Sequence, residues 1–257
     1  MKYKLEATIP TTQYGNIRPV FDVTDNESEV LDKLTELWNT FGEKPLTTKT
    51  NYGKLVTSFT GEKFYYNDDT HEYFSLDGKV LLSGSAYAKQ FDKVFDKEAV
   101  STKESARTGV PKEILLKMWQ LTSDVSTSFG TAVHDAVELV IMGGSLDKVP
   151  VTIRDTVDSL VKEVAKYNMV PITEVLVSNL AAGHVGRIDC LLVDDPEQPK
   201  KFRIIDYKTN RELKKHKITV YTKQLEFYRD ILTSFGMECE GLALLHHDGN
   251  ELTVYDV

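Results

Sequence analysis

Asp206 and Lys208 stand two residues apart at the end of an apolar run, Phe202–Ile205, and Asp189 opens another, Cys190–Val193. On a strand, residues i and i+2 point the same way, so this carboxylate and this ammonium share a face. The polar, proline-containing stretch Asp194–Pro199 joins the two runs and reads as the turn of a β-hairpin, which can bring Asp189 beside them. Two carboxylates completed by water make a hard, oxygen-only site for Mg²⁺ or Mn²⁺. Such an ion acidifies water and neutralises charge on a phosphate, and a neighbouring ammonium holds the water or stabilises developing negative charge. That chemistry is hydrolysis of a phosphodiester. A bare Asp-x-Lys is more often an ordinary surface ion pair, so the weight falls on its neighbours.

The stretch 126–142, STSFGTAVHDAVELVIM, is the second constellation. Ser126, Thr127 or Ser128 can cap a helix here, with Val133, Val137, Val140 and Ile141 on its apolar side. His134 and Glu138 are i and i+4, one above the other. The pair can meet at a metal, or the carboxylate can orient the imidazole; alone it reads more readily as a solvated helix pair. Gly130, one turn earlier, allows a backbone or phosphate to come close. Glu174 is the one acid in the apolar strand 172–178, either on an open face or near the metal. Further on, Gln224 and Tyr228 are adjacent on a helix from about 220 to 235. They could contact a phosphate or a base, or Tyr228 could pack in the core. His246 and His247 face opposite ways on a strand and make a poor ligand pair.

A mixed sheet with flanking helices must position these groups. Helices are expected at 112–121, 126–142, 153–168 and 220–235, with hairpins at 189–205 and 241–257. The chain of 257 residues is long enough for one full core with a small appendage. Residues 1–45 read as a ββα module, with strands 3–9 and 17–23 and a helix 27–41 carrying Val30, Leu34, Trp38 and Phe41. The Thr- and Lys-rich stretch 46–60 reads as a linker, and 61–257 as the main domain. Only Cys190 and Cys239 are present, which fits reduced, buried thiols and excludes a four-cysteine cluster. No 18-residue apolar run and no signal-like N-terminus occur, so a cytoplasmic protein without a membrane span is expected. The net charge is −8, yet residues 200–229 hold ten Lys or Arg against three acids. A basic patch on an acidic body can still bind phosphates.

Taken together, G-T-x-x-H (Gly130, Thr131, His134), Glu174, G-R-I-D (Gly186–Asp189), I-I-D-Y-K-T (Ile204–Thr209) and Q-x-x-x-Y (Gln224, Tyr228) resemble the RecB-like branch of the PD-(D/E)XK nuclease superfamily. The region of Trp119 and Ser128-x-Gly130-Thr131 is similar to phage and mitochondrial members that act as DNA exonucleases. The resemblance implies an α/β (α+β) fold: a mixed central sheet flanked by helices, a restriction-endonuclease-like core. It implies that His134, Asp189 and Asp206 bind one or two Mg²⁺ or Mn²⁺ ions, helped by the carbonyl of Tyr207 or Ile205. Lys208 is then the catalytic lysine, acting with Asp189 and Asp206, and Arg187, Thr209, Gln224 and Tyr228 contact the substrate. Glu138 and Glu174 are accessory acids without a fixed role. The implied partner is DNA, as single strands or duplex ends, with a homo-oligomer or a recombination partner engaged through the N-terminal module. A DNA-binding accessory protein that keeps the fold, and a restriction-like endonuclease, are the competing readings. No G-x-x-x-x-G-K-[ST] occurs in the chain.

Overall fold

The computed structural model describes residues 52–257 and, before them, the backbone of four short strands. The chain divides into two compact units, Met1–Asn51 and Tyr52–Val257. In the first, β1 (Tyr3–Glu6) pairs with β4 (Val20–Val23), and β2 (Ile9–Thr11) with β3 (Gly15–Ile17), all antiparallel. Four short strands thus stand where the sequence suggests two longer ones. The helix expected at 27–41 lies outside the described residues.

The second unit opens with a three-stranded antiparallel sheet, β5 (Lys54–Thr57), β6 (Lys63–Asn67) and β7 (Glu72–Phe74). Strand β5 lies inside the stretch that composition marks as a linker. Gly53 explains the entry: its φ is +86°, and a Cβ there would sit 2.2 Å from the Tyr66 carbonyl oxygen, so a side chain has neither conformation nor room. Phe64, Tyr66 and Tyr73 bury this small sheet against Leu81 and Val185.

Five helices follow: α1 (Gly84–Lys89), α2 (Lys97–Thr108), α3 (Lys112–Ile141), α4 (Val151–Val164) and α5 (Lys215–Ser234). They flank a six-stranded mixed sheet of β8 (Leu82–Ser83), β9 (Val170–Asn179), β10 (His184–Val193), β11 (Lys201–Lys208), β12 (Glu238–His247) and β13 (Leu252–Asp256). The order runs β13-β12-β11-β10, with β9 along the other edge of β10 and β8 parallel to its start. The hairpin expected around Asp194–Pro199 is present, with Cys190 opposite Ile205 and Val193 opposite Phe202. This is a mixed α/β architecture of the restriction-endonuclease-like kind.

Each sheet face carries its own core. Helix α5 covers Val177, Ile188, Leu191, Ile204 and Leu244 with Leu225, Tyr228, Ile231 and Leu232. Helices α3 and α4 cover Cys190, Leu192, Ile205 and Leu245 with Val133, Val137, Val157 and Leu160. Strands buried on both faces read as continuous apolar runs, which is how β10 and β11 look in the sequence. Burial pushes the Cys190 thiol up to about 12, and both cysteines are free.

One difference from expectation matters for the site. Helix α3 runs unbroken through 122–128, where the sequence suggests a break and a new serine or threonine cap. No Gly or Pro interrupts that stretch, and Thr122 Oγ1 donates back to the Met118 carbonyl within the helix. The result is a 30-residue rod that carries His134 over the sheet.

Candidate metal centre and phosphodiester site

The site forms where the sheet parts. Along one edge β10 pairs with β9 over its length except at Asp189, but along the other it meets β8 only at His184–Val185 and β11 only at Cys190–Val193. Residues 186–189 have no ladder partner on that edge. Beyond Ile205, strand β11 leaves β10 and continues beside β12, pairing Asp206 with Leu244 and Lys208 with His246. Asp189 closes the fork with its side chain: Oδ2 accepts the Tyr207 N–H at 3.0 Å.

Strand β10 also changes face there. Ile188 lies in the α5 core and Cys190 in the α3–α4 core, although a regular strand would place residues two apart on one side. Opposite Asp189, Glu174 sits in the left-handed region at φ 51°, and the ladder skips this pair while joining Ile188 to Val175 and Cys190 to Thr173. A non-glycine residue held there costs on the order of 1 kcal/mol or more, and such strain concentrates at functional sites. It turns the Glu174 and Asp189 carboxylates toward one point.

His134 comes to the same point from α3. Its Nε2 lies 3.2 Å from the Tyr207 carbonyl and its Nδ1 3.6 Å from Asp189 Oδ2. A carbonyl only accepts, so Nε2 carries the proton and Nδ1 presents its lone pair to the carboxylates, which is the tautomer a metal needs. Ligand atoms of His134, Glu174 and Asp189 lie within 4.8 Å of one another. His134 and Glu174 line a cleft of about 600 Å³ together with Gly130, Thr131, Asp135, Glu138 and Arg187. Arg187 Nε holds Glu174 Oε2 at 2.9 Å. Burial raises the Glu174 carboxyl against the pull of Arg187, with Asp189 and Glu138 adding to the rise.

Asp206 and Lys208 do share a face, and the face is buried. Lys208 Nζ lies 2.5 Å from Asp206 Oδ2, with side-chain exposures of 16% and 6%. That oxygen has no well-aligned hydrogen-bond donor despite the ion pair. Burial, opposed by Lys208 and reinforced by Asp189, pushes the Asp206 carboxyl up to about 6. Burial works against the Lys208 charge, but Asp206 and Asp189 outweigh it and hold its pKa above the ordinary lysine value. Lys208 is therefore an ammonium at neutral pH, an electrostatic group rather than a base. Its Nζ lies 4.3 Å from the centre of the Tyr221 ring on α5, a cation–π contact the sequence does not announce. The signal available was the spacing of Tyr221, Gln224 and Tyr228 on successive turns.

The expected ligand set was His134, Asp189 and Asp206. The structure brings His134 and Asp189 together with Glu174, while Asp206 stands outside that cluster and faces Lys208. Glu138 lines the cleft one turn from His134 but makes no bond to it. Thr209 lies against Gly130, where a Cβ would be 3.3 Å from its Oγ1. Tyr228 is corrected more sharply. It is 4% exposed, and its ring fills a slot in which a Cβ on Gly84 or Gly186 would sit 2.2 or 2.1 Å from Cε1. Its hydroxyl takes a hydrogen bond from Gln224 Nε2 at 3.1 Å, and burial raises its pKa strongly. A ring so enclosed cannot stack on a base. Residues Gly84 and Gly186 therefore serve packing, and Tyr228 positions α5 against the fork.

The basic stretch 200–229 is also reduced on inspection. Lys201, Arg203, Lys208, Lys217, Lys223 and Arg229 are paired with acids. Arg211, Lys214 and Lys215, in the connection after Lys208, have no acidic partner among the described residues.

Residues 152–238 match the family model of the PD-(D/E)XK nuclease superfamily. The match covers less than half of the chain and stands at the level of the superfamily, whose members are typically metal-dependent nucleases. It spans Glu174, Asp189, Asp206, Lys208, Gln224 and Tyr228 and begins after His134. No curated protein matches the chain.

The donor set fits the divalent metal that this superfamily typically uses. Imidazole with carboxylates suits Mn²⁺, and carboxylates with water suit Mg²⁺. Asp206 already faces the Lys208 ammonium, so the groups that fit the ion are His134, Glu174 and Asp189. Among the described residues no helix is long and apolar enough to cross a membrane.

Proposed function

We propose that the chain is a PD-(D/E)XK nuclease that hydrolyses phosphodiester bonds of DNA. It acts as an exonuclease of the RecB-like type on ends or single strands, in replication, recombination or repair. The observation that carries this reading is the fork between β10 and β11. There the buried Asp206–Lys208 ion pair adjoins a His134–Glu174–Asp189 cluster.

His134, Glu174 and Asp189 would hold the ion, and Asp206 holds Lys208 in place. A bound divalent ion supplies Lewis-acid chemistry, acidifying water and neutralising phosphate charge. The protein supplies the rest. Tyr207 orients His134 through its carbonyl and Asp189 through its N–H. The Lys208 ammonium, held by Asp206 and the Tyr221 ring, fixes the attacking water and stabilises negative charge as it develops on the phosphate. The water oxygen gives up a proton to solvent and bonds to phosphorus in line with the ester bond that breaks. The leaving oxygen departs with that bond's electron pair and takes up a proton from solvent. Arg187, released from Glu174, is placed to meet a phosphate oxygen. Thr209 lies on the same rim.

The test is incubation of end-labelled linear DNA and covalently closed circular DNA with Mg²⁺, Mn²⁺ or EDTA. Metal-dependent degradation of the linear substrate with the circle untouched is expected. Cleavage of the circle would replace the exonuclease with an endonuclease, and binding without product would reduce the chain to an accessory protein.

A further inference from the structure

A second groove, also of about 600 Å³, is lined by Tyr221, the ring beside Lys208. We propose that it binds the unpaired bases of a single nucleic-acid strand, stacking one on Phe95 and leading the strand to Lys208. The proposal rests on the nuclease reading for the strand's destination.

Tyr221 lies against Lys208. Phe95, in the connection between α1 and α2, lines the same groove. Phe95 is 59% exposed, and the neighbouring Val94 is 97% exposed. Phe95 is not loose: its ring packs against Trp119 of α3 at 6.0 Å between centres, tilted by 56°. A large aromatic braced from behind and bare in front is a stacking platform, since every base offers a π face. Paired bases keep those faces inside the duplex, so such a platform selects an unpaired strand.

The charges along the groove suit a phosphate backbone. Lys93 and Lys214 line it without acidic partners among the described residues. Two acids line it as well: Asp92 is neutralised by Lys217 and approached by His216 Nε2 at 3.9 Å, while Glu212 has no basic partner among the described residues and is outnumbered by the lysines. The metal cleft on the other side of the fork is different. It has no aromatic lining and is rich in carboxylates, so it suits a phosphate with its ion but not a run of bases.

The experiment is fluorescence anisotropy of a labelled oligo-dT and of a blunt DNA hairpin, in EDTA so that no cleavage occurs. The wild-type protein should bind oligo-dT more tightly than the hairpin. Phe95→Ala, a change at an exposed ring, should weaken oligo-dT about tenfold or more, as expected for one lost stack. It should barely alter the hairpin. Lys214→Ala should weaken both and reduce the salt slope by about one. Equal oligo-dT affinities for Phe95→Ala and wild type would overturn the proposal. So would a wild-type dimer that Phe95→Ala dissolves without touching oligo-dT binding, which would assign the ring to a second copy of the chain. Loss of oligo-dT binding in Phe95→Ala, in a protein that never cuts DNA with metal, would sink the nuclease reading and leave the groove standing.

Discussion

The His134–Glu174–Asp189 cleft and the Gln224–Tyr228 turn of α5 carry the same kind of sequence signal, polar groups one structural repeat apart. They end in opposite surroundings. At the cleft the sheet parts, Glu174 takes a strained backbone, and His134 and Glu174 face open space beside Gly130, with Asp189 close to both. On α5, two glycines from β10 and α1 give up their side-chain volume to the Tyr228 ring, and its hydroxyl is answered by its own helix. Spacing places groups side by side. What packs behind them decides whether they do chemistry or hold the core.

The sharpest contrast is in activity. Asp206→Ala and Lys208→Ala should each lower the cleavage rate by about a hundredfold or more with an unchanged fold, as when a preorganised charge is removed from a buried site. Single-turnover rates and circular dichroism on the same samples check this.

Gly186→Ala should act on the other region. The added methyl would overlap the Tyr228 ring, and overpacking of this kind costs about 1–3 kcal/mol. Thermal unfolding should show a lowered Tm. If Tm is unchanged, the slot is not tight.

Glu174→Gln should weaken Mn²⁺ binding roughly tenfold, the loss of one well-placed ligand group, while Glu138→Gln should change it little. Calorimetric titration distinguishes the two. The reverse order would return Glu174 to a structural role with Arg187.

The pH dependence has a definite sign. The metal-free fold holds Asp206 with a pKa of about 6 against an ordinary 3.8. Folding therefore favours the protonated form. This carboxyl lends stability below the ordinary value and loses it as pH rises through about 6. The Tm of the metal-free protein should therefore fall as pH rises through about 6. In Asp206→Asn that dependence should flatten.

The smallest effect is expected for Tyr228→Phe, which removes one buried hydroxyl and its bond to Gln224, about 1 kcal/mol of stability. Cleavage by the folded fraction should persist. A raised KM with unchanged Tm would mean that the hydroxyl reaches substrate after all.

The β10–β11 hairpin was readable because its signals are local: two apolar runs, a polar turn and a register that pairs Cys190 with Ile205. The shared face of Asp206 and Lys208 followed from strand geometry alone. Three features could not be read. Strand alternation fails at Asp189, because Ile188 and Cys190 bury in different cores. The role of Glu174 depends on that same kink, so the sequence left it between an open face and the metal. The slot for Tyr228 is built by Gly84 and Gly186, each far from it along the chain. The basic stretch was legible as composition, but its pairing with Glu240, Asp256, Asp92 and other acids appears only in three dimensions.

The most direct measurement is manganese binding to the metal-free protein, followed by electron paramagnetic resonance, for wild type and for Asp189→Ala. Wild type should take up the ion and show it bound to imidazole nitrogen, and Asp189→Ala should lose most of the affinity while remaining folded. Equal binding by the two proteins, or no binding by either, would contradict a metal centre at the fork.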